Sequence, residues 1–188
     1  MRTESVLIWL IALATSTAPQ IDLTTPRGVV TEFCRLDANG ARLSTAAYRK
    51  INPLVAWPEE PGWDTAVVIG GYETSKASFD GDGERATVVV SYEVLGVLSG
   101  ERWYPLERIE PDSIFHRFIA RQVTYTVEQN GNSWRLVGPV VHPHVDLIYM
   151  AAHARYFADK ARYDRSPRPE LEQAVAALDA LIDARFER

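Results

Sequence analysis

The sequence predicts an α+β fold in which helices precede an antiparallel sheet and further helices follow it. Three patterns predict it. From Gln122 to Glu128 apolar and aromatic residues alternate with polar ones, Asn130-Gly131 turns the chain, and Trp134 opens a second alternating run, the signature of a β-hairpin closing near Val145. Ala86 to Leu98 alternates in the same way and is the clearest single strand. Before and after these strands the apolar residues recur instead at helical spacing, from Val29 to Leu36 and from Leu147 to Ala158.

With 188 residues, 46% hydrophobic and 24% charged, the chain can bury one sizeable core, so one domain with extensions is expected. A formal charge of −5 and a pI near 5.4 argue against a nucleic-acid partner, because a phosphate-binding surface needs a clustered excess of Lys and Arg. The lone cysteine, Cys34, cannot close an intramolecular disulfide. It lies within a helical stripe and is expected to be a small buried hydrophobe.

Residues 1–18 have a character of their own: Arg2 near the start, an apolar run from Val6 to Ala14, then Thr15-Ser16-Thr17-Ala18. A charged start, a short apolar stretch and small residues make a secretory signal peptide, with cleavage near Ala14 or Ala18. The run is shorter than the roughly 20 apolar residues that span a bilayer, so no transmembrane segment is expected in the mature chain and its location is secreted or periplasmic.

Thr25-Pro26 starts the first helix, with Val29, Val30, Phe33, Cys34 and Leu36 on its stripe and Asn39-Gly40 at its end. Ser44 or Thr45 caps a second helix carrying Ala46, Ala47, Tyr48 and Ile51, which Pro53 kinks or splits. Trp57 to Asp64 is a loop rich in Pro and Gly. Residues 65–79 form a strand that Gly70-Gly71 bulges, Asp80 to Gly83 turns the chain, and Ala86 to Leu98 follows with Val88, Val90, Tyr92 and Val94 on one face. Residues 99–117 are a long polar connection. In the hairpin, Val123, Tyr125 and Val127 face the same side as Trp134 and Leu136, and Pro139 bulges the second strand or puts it at an edge. A helix with Leu147, Ile148, Ala151, Ala154, Phe157 and Ala158 on its stripe runs to about Tyr163, Ser166 to Pro169 links, and a last helix presents Leu171, Val175, Leu178, Leu181, Ile182 and Phe186 on one face.

Helices from Thr25 to Gly40 and beyond, the long strand from Ala86 to Leu98 and the closing hairpin from Val123 to Val141 resemble, in this order, the nuclear transport factor 2-like superfamily and its SnoaL-like branch. The resemblance covers residues 25–145. It implies a cone-shaped, strongly curved antiparallel sheet wrapped around the N-terminal helices, with a pocket at the wide end and residues 146–188 as a C-terminal helical extension. It does not select a function, since one fold hosts many.

Tyr92, Tyr125, Trp134 and His142 are the candidate pocket residues. His142-Pro143-His144 could aim two imidazoles to one side of a strand, as zinc or iron would need, but no third ligand is marked, so no metal and no cofactor is expected. No carboxylate shares the parity of the pocket-facing positions: Glu93 points the other way and Glu73 follows a double glycine. There is no nucleophile elbow, and Asp80 to Gly83 lacks the later ligands of a calcium loop. The expected function is therefore an exported, non-catalytic module that binds a small apolar ligand or a protein, with the last helix as a surface for a homodimer or partner. The alternative is a SnoaL-like isomerase, dehydratase or hydrolase with His142 as base and Tyr92 and Tyr125 as donors.

Overall fold

The computed structural model describes residues 21–57 and 63–187, so the signal peptide expected over residues 1–18 lies outside the described residues, as do residues 58–62 of the Trp-flanked loop. Helix α1 (Pro26–Ala38) begins as the sequence dictates: the Thr25 hydroxyl accepts from the Gly28 amide and Pro26 occupies the first turn, where its missing N–H costs nothing. It ends at Asn39, and Gly40 takes φ +70° beneath the ring of Tyr149, a place where a Cβ would be both strained and crowded. The second helix is split as Pro53 requires, into α2 (Thr45–Tyr48), capped by Ser44, and a 3-10 turn (Asn52–Leu54).

Among the described residues, seven strands make a strongly curled, half-barrel sheet: β1 (Thr65–Thr74), β2 (Ser78–Phe79), β3 (Arg85–Ser99), β4 (Arg102–Pro105), β5 (Gln122–Asn130), β6 (Ser133–Gly138) and β7 (His144–Asp146). The order along the sheet is β6-β5-β3-β1-β7, with β2 and β4 also paired to β3. Among the described strands, only the pairing of β7 with β1 is parallel; outside them, Val55 makes one isolated parallel bridge to Leu136 on β6. β3 is the axis of the sheet, and its Val88, Val90, Tyr92 and Val94 are buried on one face as the alternation requires. The bulge expected at Gly70-Gly71 appears as a register shift of β1 against β3, and a Cβ on Gly70 would meet the Glu93 carboxylate and the Arg185 guanidinium. The connection over residues 99–117 holds more structure than its composition suggests. Gly100 (φ +58°) turns the chain tightly enough for Arg102–Pro105 to pair back on β3, and two 3-10 turns follow.

Two apolar clusters lie on opposite faces of the sheet. Against one face packs α1, whose Val29, Val30, Phe33 and Cys34 meet Val67, Ile69, Val88, Val90, Tyr92, Val123, Tyr125, Val127 and Leu136. Against the other pack α3 (Leu147–Tyr163) and α4 (Pro169–Phe186), through Met150, Ala151, Ala154, Ala158, Leu171, Ala174 and Leu178 over Ala66, Val68 and Leu98. Alanines dominate this contact and let the helices approach the sheet closely, and the rim is held by Arg162 to Glu172 at 3.0 Å and Arg155 to Asp179. The helical stripes differ from expectation at their margins. Ile148 (54% exposed), Phe157 (40%) and Phe186 (72%) stay outside, and Met150 and Ala161 take buried places instead, because the buried stripe of each helix is centred on its alanines. No helix among the described residues is long and apolar enough to cross a membrane.

Candidate functional site

Between α1 and the sheet, a group of polar side chains sits among the apolar ones. Val30, Phe33, Cys34 and Asp37 fall at i, i+3, i+4 and i+7 on α1, so Asp37 follows the apolar stripe into the interior and is buried there. Its Oδ2 accepts from the backbone N–H of His144 at 3.0 Å and lies 3.4 Å from Nη1 of Arg42. The Arg42 side chain is fully buried. Its Nη2 donates to the Val141 carbonyl at 2.6 Å, and its guanidinium lies 5.7 Å from the centre of the Phe33 ring and 5.1 Å from that of Trp63, both within range of cation–π attraction.

His144 joins this ion pair to the tyrosines. Its ring stacks on Tyr92 with centroids 4.1 Å apart. A neutral imidazole has one N–H, which the shorter contact places on Nδ1, donating to the His142 carbonyl at 2.9 Å. Burial pushes the His144 pKa down to about 4, and the Arg42 charge works in the same direction, so the ring is neutral at pH 7. The Tyr92 hydroxyl lies 3.2 Å from that of Tyr125 and 3.4 Å from the Cys34 sulfur, making a buried chain of three weakly acidic groups. Desolvation holds all three protonated: it raises both phenols above their ordinary range and pushes the Cys34 thiol up to about 12. A thiol so held is no nucleophile.

Of the four candidate pocket residues, the structure brings two together. Tyr92 and Tyr125 share a hydrogen bond. Trp134 is buried on the same face, opposite Gln129 in the hairpin and edge-on to Phe79 at 5.9 Å, but four positions along β5 from Tyr125, roughly 13 Å at strand spacing. His142 is half-buried between Phe118 (4.0 Å) and Trp63 (4.6 Å), and desolvation, with the Arg42 charge second, lowers its pKa. It is the neighbouring His144 that reaches Tyr92. Asp37 and Arg42 carry no mark as site residues in the sequence, and His144 is weighed there only as half of a two-imidazole metal pair. The signal for Asp37 is a carboxylate at the i+7 place of an apolar stripe, which a helical parity argument on α1 exposes.

No protein-family model matches the chain, and no curated protein or solved structure matches it. What the arrangement can do therefore has to come from its own geometry. Tyr125, Val88, Val90, Val127, Leu136 and Ile51 have no accessible surface, so no space large enough for a water molecule touches them. Phe33 fills the centre, with its ring edge-on to Tyr125 at 5.5 Å and to Trp57 at 6.2 Å. Among the described residues, no group of three or more His, Cys, Asp or Glu could hold a metal ion.

Proposed function

We propose that the chain is a non-catalytic interaction module of the nuclear transport factor 2-like type whose cone is filled by its own side chains. The observation that carries this is the zero accessibility of Tyr125, Leu136 and Ile51, where a substrate or ligand of such a cone would sit. Support for the cone comes from α1, which touches β6 and β7 at the two ends of the main strand order as well as β1, β3 and β5 between them. In a flat sheet those end strands would stand roughly 19 Å apart, wider than the roughly 10 Å of a helix, so the sheet has to curl around α1. The acid/base alternative draws support from the Tyr92–Tyr125 hydroxyl pair and is weakened by the lack of a base beside it. His144 meets Tyr92 ring to ring, and His142 lies between Phe118 and Trp63.

Titration with small neutral apolar ligands, followed by NMR of the tyrosine rings, tests the filled cone. The Tyr92 and Tyr125 resonances should stay in place; a saturable shift of both would overturn it. Export belongs to the same proposal, supported by the charged, apolar and small-residue succession in residues 1–18. N-terminal sequencing of secreted protein should begin near Thr15, and an intact Met1 would count against it. A partner or second copy engaging α4 would use what the helix leaves outside, since Leu171, Ala174 and Leu178 are taken by its own domain and Ala180 and Phe186 are exposed.

A further inference from the structure

On the face of the sheet away from α1, a pocket of about 180 Å³ opens where the ends of β1 and β3 meet α3 and the start of α4. Its floor is apolar and buried: Ala66, Leu98, Met150, Ala154 and Leu171. Trp63 and Phe157 stand at its wall with His153, whose ring is edge-on to Phe157 at 4.9 Å. The rim holds three charges, Asp64, Glu101 and Arg168. Arg168 donates to Glu101 at 2.7 Å, and each largely cancels the other. Asp64 has no ion-pair partner among the described residues, so it leaves the mouth with a net negative charge.

We infer that this pocket is a binding site for a small arylalkylamine, with its ring on the apolar floor and its ammonium at Asp64. Size, polarity and charge each narrow the class. A cavity of about 150 Å³ accepts a benzene molecule, so this one takes a single ring with a short tail and excludes a fused polycycle. An anion of the same shape would meet Asp64 with no uncommitted cation to answer it, because Glu101 already holds Arg168. A neutral ring fills the floor but gains nothing from Asp64 or from the electron-rich face of Phe157, which favours a cation placed over it. His153 reinforces the choice: desolvation lowers its pKa, so at pH 7 its ring is neutral and offers a lone pair rather than a competing charge. The pocket lies across the sheet from the filled cone, so it stands whether or not the cone proposal does.

Isothermal titration of the full chain with phenethylamine, phenethyl alcohol and 3-phenylpropionate tests it. Phenethylamine should bind at one saturable site with a Kd on the order of 1 mM or tighter, the alcohol at least roughly fivefold more weakly, and the carboxylate more weakly still. Asp64→Asn, at an exposed position where folding is not at risk, should weaken the amine about tenfold and leave the alcohol unchanged. Phe157→Ala should weaken both. The amine should shift the Trp63 indole resonance in NMR and leave the Tyr125 ring in place, which separates this site from any ligand in the cone. Absence of saturable amine binding, equal binding of amine and alcohol, or an Asp64→Asn variant that binds the amine as the parent does would each overturn the inference.

Discussion

Replacing Arg42 by Met removes the buried cation beside Asp37 while keeping most of the side chain's length and apolar stem. The Asp37 carboxylate then keeps the His144 N–H at 3.0 Å and loses the guanidinium at 3.4 Å. Breaking a buried pair from one side costs about 3–5 kcal/mol, because the remaining charge stays out of water. A second route sets a ceiling on the electrostatic part. An isolated Asp has a pKa near 3.9, so taking up a proton at pH 7 costs roughly 4 kcal/mol, and the variant will not pay more than that to keep the carboxylate charged. The same ceiling falls by about 1.4 kcal/mol per pH unit, to roughly 1.5 kcal/mol at pH 5. The loss relative to the parent should therefore be about 3–5 kcal/mol at pH 7 and smaller by about 2 kcal/mol at pH 5. Urea unfolding followed by the fluorescence of the five tryptophans measures it, with a midpoint shift of roughly 1–3 M at pH 7. Adding Asp37→Leu should recover most of the stability, since an apolar pair of similar volume has no charge to desolvate. A loss below about 1 kcal/mol at pH 7, or one that does not change with pH, would refute the assignment of a buried charge pair.

Further outcomes follow from the neighbouring groups. His144 has a folded pKa of about 4 against an unfolded value near 6.5, so its contribution is complete above pH 6.5 and is lost as pH falls toward 4, by roughly 3 kcal/mol; in His144→Gln the stability between those pH values should be flatter than in the parent, and an unchanged slope would exclude His144 as its source. Cys34, 2% exposed, should resist a thiol reagent in native buffer under conditions where the urea-unfolded chain is labelled completely, and labelling at the unfolded rate would contradict its burial. Trp134→Ala should cost about 3 kcal/mol, the low end for a buried ring because 8% of the residue still meets solvent; a urea-derived loss under about 1 kcal/mol would remove it from the core.

The sheet was legible wherever one face of a strand is wet. In β3 the polar Thr87, Ser91 and Glu93 separate Val88, Val90, Tyr92 and Val94, so parity alone assigns the buried face, and the same holds for Val123, Tyr125 and Val127 in β5. Strands lacking that contrast were harder to see. β4 is four residues long, begins after a Gly100 turn and carries Arg-Trp-Tyr-Pro, in which aromatic side chains go to both faces. β7 is three residues of His-Val-Asp, and its parallel pairing with β1 depends on a partner far away in sequence, which no local pattern encodes. The margins of α3 and α4 were misjudged because Ile148, Phe157 and Phe186 are large and apolar, whereas the geometry of close helix packing prefers Ala151, Ala154, Ala158 and Ala174 at the contact.

The buried polar cluster was half legible, and the missing half explains its chemistry. Tyr92 and Tyr125 were found because β3 and β5 are regular, and their hydroxyls meet at 3.2 Å although the residue paired with Tyr125 is Val88, four positions along β3 from Tyr92. Strand parity exposes no carboxylate on the tyrosines' face, and the buried acid comes from α1. Asp37 does not reach the tyrosines. It is consumed by Arg42 and by the His144 amide, and His144 then presents the face of its ring, not a nitrogen, to Tyr92. Asp37 Oδ2 and the Nδ1–H of His144 are thereby committed to structural bonds, while desolvation keeps Cys34, Tyr92 and Tyr125 protonated. A working acid/base site needs the opposite arrangement: one group with a pKa near the working pH and an unfilled space beside it. In this chain the groups that resemble such a site act to fix α1 against the sheet, and an unfilled space bearing an uncommitted charge lies instead across the sheet, at Asp64.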